Sequence, residues 1–148
     1  MQGLFKKAWF KAFCGIGFII TFTAGLTMFI APDQMAAMLS IPVPESGFNP
    51  YFVRLLGLIL VPCGLCYLFA ALDPDASRSL LVIVSSEKLL AVAYSLAAFI
   101  SGTVGVKVMG VVAGDGLLML VGVYCALQLS RELGTMDQND DAEEEGEE

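Results

Sequence analysis

The chain has no histidine, a single tryptophan and few charges, which make up only 16% of its 148 residues. Without imidazole, bis-histidine haem ligation, the usual zinc and copper sites, and Ser/His/Asp or Cys/His catalysis are excluded. Lysine and arginine together number eight, too few for the basic footprint of a nucleic-acid-binding surface. The acids are unevenly placed: the stretch 137–148 holds eight of the fifteen and no base. The formal charge of −7 therefore belongs to a tail, and the body before it carries eight bases against seven acids. What fills the body is apolar: 57% of the chain is hydrophobic and its mean hydropathy is +0.75. That is too oily for a soluble domain of one-domain length and points to a polytopic membrane protein.

A spanning helix needs about 20 mostly apolar residues. Ala12 to Pro32, after Lys6, Lys7 and Lys11, supplies the first; it is too long for a signal-peptide core and has no persuasive cleavage site, so it is read as a retained anchor. Leu55 to Leu72, stopped by Asp73-Pro74-Asp75, supplies the second. Leu80 to Ser101 and Val106 to Leu129 supply the third and fourth, interrupted by Glu87-Lys88 and by Asp115, with turn residues at 101–105 setting a tight hairpin between them. The connection from Ala31 to Tyr51 opens with Pro32-Asp33 and a short pattern of Met35, Met38 and Leu39 that fits a helix lying in the interface. The prolines of Ile41-Pro42-Val43-Pro44 then force extended chain.

The expected fold is thus all-α: a transmembrane domain of four helices over residues 1–134 and a disordered acidic tail over 135–148. Lys6, Lys7, Lys11, Arg78 and Arg131 fall on the side of the termini, against Arg54 and Lys107 on the other, so both termini are expected in the cytoplasm. Phe5, Trp9, Phe10 and Phe13 are expected to seat the first helix among the headgroups.

The intramembrane charges are the first candidate site. A charge near the bilayer centre costs about 2.5–3.5 kcal/mol on the insertion scale and faces protein or water. Counted at about 1.5 Å per residue, Lys88 and Asp115 reach similar depths on helices joined by a hairpin, so they are expected to pair. Glu87 points about 100° away from Lys88, towards the side of Tyr94, while Ser85 shares the side of Lys88. Arg54, near the outer end, completes the candidate polar set and can snorkel. Two readings stand side by side: an ion pair fixing helix register, or a polar cavity for a proton, a quinone head or a small substrate.

Cys63 and Cys66 form a C-x-x-C, the spacing of a redox dithiol, but mid-span, where soluble partners do not reach; packing and quinone-linked thiol chemistry are the competing readings. Gly110 to Gly114 is a true G-x-x-x-G, extended by Gly122 and Ala126, which serves close helix packing inside the bundle or against another subunit. The tail matches positions one, three, five and twelve of a calcium loop at Asp137, Asn139, Asp141 and Glu148, yet Ala142 stands where the loop requires glycine, so no metal site is assigned.

With Arg54-Leu55-Leu56-Gly57 opening the second span, Tyr67 within it, the Asp73-Pro74 exit, Lys88 in the third and Asp115 in the fourth, the chain resembles the DoxX-like superfamily of small four-helix membrane proteins. That resemblance covers most of the chain before the tail and implies a fold more than an activity; some members resemble subunits of thiosulfate and quinone oxidoreduction. The C-x-x-C is also similar to that of vitamin K epoxide reductase and disulfide-oxidase bundles, but those place it near a membrane surface with a second accessible pair, which this chain lacks. The functional expectation is a small non-catalytic accessory or structural subunit of a membrane assembly, surrounded by lipid and held to other subunits through small-residue helix faces. The alternatives are a quinone-linked thiol protein using Cys63 and Cys66, and a small proton-coupled carrier using Glu87, Lys88 and Asp115. No cofactor motif is identifiable.

Overall fold

The computed structural model describes residues 3–4, 6–38 and 50–144, with side chains described as far as residue 132. All regular structure among the described residues is helical: α1 (Ala8–Ile30), α2 (Pro32–Met38), α3 (Pro50–Leu72), α4 (Pro74–Ile100) and α5 (Val108–Glu144). Four of these, α1, α3, α4 and the Val108–Glu132 part of α5, are long and apolar enough to cross a bilayer. In each, only 22% of the most apolar stretch is fully buried within the chain, the rest being half-buried or exposed. This is the build of a multi-pass integral membrane protein.

The first three spans begin earlier than the apolar runs indicate, and the fourth begins at Val108 rather than Val106. α1 takes in Trp9 and Lys11, α3 starts at Pro50, and α4 at Pro74, because a charged or polar turn at a membrane surface continues a helix at no cost. α5 runs on as helix to Glu144, past the expected boundary at residue 134 and into the stretch expected to be irregular. Met, Gln and Glu are good helix formers, and no proline interrupts them. The prolines at 42 and 44 lie outside the described residues, as does Leu39.

The connections set the topology. Asp73 caps α4, its side chain accepting from the backbone N–H of Asp75 at 2.9 Å and Ala76 at 3.3 Å, with Pro74 in the first helical turn. The buried Ser77 hydroxyl then donates to the carbonyls of Ala70 at 2.6 Å and Asp73 at 2.5 Å, tying the end of α3 to the start of α4. At the opposite end, α4 and α5 are joined by the expected tight turn, where Gly102 takes φ +72°, a left-handed conformation that suits glycine. We call the end that holds the α3–α4 turn the terminal end and the other the loop end.

The helices associate as two antiparallel pairs, α1 with α3 and α4 with α5, joined chiefly through α3 and α4. The first pair meets along glycines. A Cβ on Gly57 would stand 2.6 Å from the Gly25 carbonyl oxygen and 2.7 Å from the Phe29 nitrogen, and one on Gly64 would stand 2.8 Å from the Phe22 nitrogen. Such backbone-to-backbone contact is the membrane substitute for the hydrophobic effect, which lipid removes as a driving force between helices. Between the pairs, one core of Phe10, Cys14, Tyr67, Ala70, Leu81, Val84, Cys125 and Leu129 is packed at the terminal end, where the backbone N–H of Leu4 also donates to Glu132 Oε1 at 2.9 Å.

The aromatic anchor expected on α1 is corrected by this core. Phe10 is fully buried, and Phe13 packs edge-on against Tyr67 with ring centroids 5.8 Å apart. Of the expected group, Trp9 is exposed, beside Tyr124, and Phe5 lies outside the described residues. The apolar face of α2 is likewise split: Met35 and Ala36 are buried, and Met38 is exposed.

Candidate functional site

Lys88 stands midway along α4 and Asp115 two turns into α5, and their side chains meet with Nζ 3.2 Å from Oδ1. The pairing follows from the hairpin, which runs the two helices antiparallel and brings both residues to one depth. Lys88 is the more enclosed partner, its side chain 4% exposed against 15% for Asp115.

Glu87 departs from the expectation that it turns away. Its Oε2 lies 3.2 Å from the same ammonium nitrogen, so Lys88 sits between two carboxylates. A helical wheel places the Cα–Cβ bonds of neighbours about 100° apart, but two long side chains span that angle when lipid rewards neither for pointing outward. Glu87 is thus a second ion-pair partner of Lys88. Arg54 does not join them: it is exposed near the start of α3 and makes no ion pair among the described residues.

Buried, unpartnered hydroxyls stand on three of the packed helices. Tyr67 on α3 is fully buried, its Oη has no hydrogen-bond partner, and its strongest charged neighbours are Glu87 and Asp115. Its ring lies over Gly17 of α1, where a Cβ would come within 2.7 Å of Cδ1, so a glycine on one helix makes room for a phenol from another. The buried hydroxyls of Thr21 on α1 and Ser85 on α4 are also unpartnered. Ser85 fits against Gly122 of α5, where no side chain could stand. Sequence reasoning noted Ser85, met Tyr67 only through the family resemblance and passed over Thr21. The usable signal was that an isolated polar residue in a long apolar run faces its own bundle.

Cys63 and Cys66 are both free and half-buried in the middle of α3, and Cys63 lies in the field of Glu87 and Lys88. The neighbouring Pro62 is tolerated inside α3 with its ring exposed, while Gly64 makes the close approach to α1. Cys14 and Cys125 are buried in the terminal-end core and also free. Replacing Cys63 and Cys66 together by alanine is expected to leave accumulation in the membrane within about twofold of the unaltered chain, because half-buried thiols contribute little packing there. Quantitative blotting of membrane fractions measures this, and a collapse in accumulation would make the thiols structural.

The G-x-x-x-G, expected to serve the internal bundle first, does not do so. A Cβ on Gly110 or on Gly114 meets nothing within 4 Å, whereas Gly122 and the buried Ala126 of the second small-residue pair do pack inside. Among the described residues α5 packs chiefly against α4, and the 110/114 strip does not face it.

Among the described residues no group of three or more Cys, Asp or Glu side chains is arranged to hold a metal ion. The arrangement instead provides an ammonium, two carboxylates and a phenol hydroxyl near mid-membrane, groups able to exchange a proton or ligate a cation or a polar headgroup. Comparison of the chain with known proteins finds no matching family model, no matching curated protein and no matching solved structure.

Proposed function

We propose that the chain is a small non-catalytic subunit of a membrane assembly, with both termini in the cytoplasm, and that the loop-end half of α5 docks a transmembrane helix of another subunit. The observation that carries this reading is the open space in front of Gly110 and Gly114. Two glycines four residues apart form a flat strip that lets a second helix approach closely, and glycine is otherwise a poor choice inside a helix. The strip on α1 and α3 is consumed internally at Gly25, Gly57 and Gly64, while that on α5 is presented outward. The loop-end half of α4 also exposes large side chains, with Leu90, Tyr94 and Ile100 at 70%, 78% and 83% exposure. The orientation rests on Lys6, Lys7, Lys11, Arg78 and Arg131, which the topology gathers at the terminal end. The DoxX-like resemblance, through Arg54, Gly57, Tyr67, Lys88 and Asp115, supports the same bundle.

The test is Gly110→Leu/Gly114→Leu in the tagged full chain, extracted in mild detergent from its own membrane. The double variant is expected to accumulate and run as a monodisperse species while losing, by at least tenfold in quantitative mass spectrometry, the subunit that co-purifies stoichiometrically with the unaltered chain. An unaltered chain that purifies without such a subunit, or a variant that keeps it, overturns the proposal.

A further inference from the structure

The charges at the middle of the bundle do not balance. Lys88 supplies one positive charge, and Glu87 and Asp115, each 3.2 Å from its ammonium nitrogen, supply two negative ones. Among the described residues, the groups from α3 in the electrostatic field of this triad, Tyr67 and Cys63, bring no further cation. One negative charge in a medium of low dielectric is too costly to leave uncompensated, and either a proton on a carboxylate or a bound cation removes it.

The surroundings are built for such an occupant. The Tyr67 hydroxyl is fully buried and unpartnered, with Glu87 and Asp115 as its strongest charged neighbours. Helix geometry aims it there. α3 enters from the loop end, so its side chains lean back towards that end, whereas those of α4 lean towards the terminal end. Tyr67 and the Glu87-Lys88 pair therefore lean towards one another, from Cα atoms at levels about 13 Å apart along the bundle.

A route to the cluster follows from the burial pattern. Towards the loop end from Lys88, no residue of α4 from 89 to 100 is buried, and on α5 none is buried between Val108 and Leu118. No residue of either helix is fully buried there, and 20% of the Glu87 side chain is exposed.

We propose that Glu87, Asp115 and the Tyr67 hydroxyl form an intramembrane site for one monovalent cation, a proton or a sodium ion, held beside Lys88 and reached from the loop end. The site is independent of the docking strip on α5: its ligands come from α3, α4 and α5, and its test needs no second subunit.

Dicyclohexylcarbodiimide reacts with a protonated carboxyl in an apolar setting, and adducts are located by peptide mass spectrometry. Applied to the full chain in sodium-free liposomes, it is expected to label Glu87 or Asp115, with labelling falling as pH rises. Protection at fixed pH by sodium, but not by choline, assigns the site to sodium; indifference to sodium assigns it to the proton. Tyr67→Phe removes an unpartnered buried hydroxyl that the proposed site would use as a donor to the carboxylate or a ligand to the cation. In the proton case its labelling should persist to higher pH, and in the sodium case it should need several-fold more sodium for protection. Absence of any adduct on both carboxyls across the pH range, or labelling insensitive to both pH and sodium, overturns the proposal in the unaltered chain, whatever the variant does.

Discussion

Lys88→Met is expected to reduce accumulation of the folded chain more than any other single change in the charged triad, by about 3–5 kcal/mol of stability. Among the described residues the ammonium is the only cation that offsets both Glu87 and Asp115, at 3.2 Å from each. Removing it strands two carboxylates in low dielectric, and their protonation limits the loss without abolishing it. Set against a typical total of about 5–15 kcal/mol, that is a large share. Asp115→Asn should be much milder, because Lys88 then keeps Glu87 as a one-to-one partner. The triple change Glu87→Gln/Lys88→Met/Asp115→Asn should recover most of the loss, since no buried charge is left unpaired. Thermal unfolding of the fluorescently tagged chain, followed by size-exclusion chromatography, gives the ranking. Equal defects for Lys88→Met and Asp115→Asn, or no recovery in the triple variant, would falsify the shared-lysine account.

Much of this architecture is legible in the sequence, and the exceptions share a cause. Four spans follow from runs of apolar residues bounded by charge, and the Lys88–Asp115 contact follows from counting rise per residue on two helices joined by a short turn. Both inferences use distances along one helix or across one hairpin. Glu87 escaped because a wheel gives the direction of Cβ and not the reach of the side chain. Phe10 and Phe13 were assigned to the headgroups by residue type, yet the core at the terminal end needs large side chains, and α1 supplies them. The glycines show the limit most clearly. Gly110 and Gly114 attract attention because they recur four residues apart in one helix, but the contacts that hold α1 to α3 use Gly25 from one helix and Gly57 and Gly64 from another. No spacing within a single sequence window joins those positions; only the packed pair does. Tyr67 escaped for the same reason: its approach to Glu87 depends on the opposed lean of side chains on antiparallel helices.

Gly57→Ala tests that packing at the place where it is tightest. The added methyl would stand 2.6 Å from the Gly25 carbonyl oxygen and 2.7 Å from the Phe29 nitrogen, and both are backbone atoms that no rotamer change can move aside. α1 and α3 must separate to admit it, and separation along this seam also loosens Gly64 from Phe22, so the cost is expected at about 1–3 kcal/mol. Gly57→Val should be worse and leave little folded chain. Gly110→Ala is the internal control: its methyl enters open space, and alanine favours helix, so the stability of the isolated chain should be unchanged or slightly raised. Melting temperatures of the three purified variants in one detergent decide the matter. If Gly57→Ala and Gly110→Ala shift the melting temperature alike, α1 and α3 are not held by backbone contact at Gly25 and Gly57, and the bundle depends instead on the side-chain core around Tyr67.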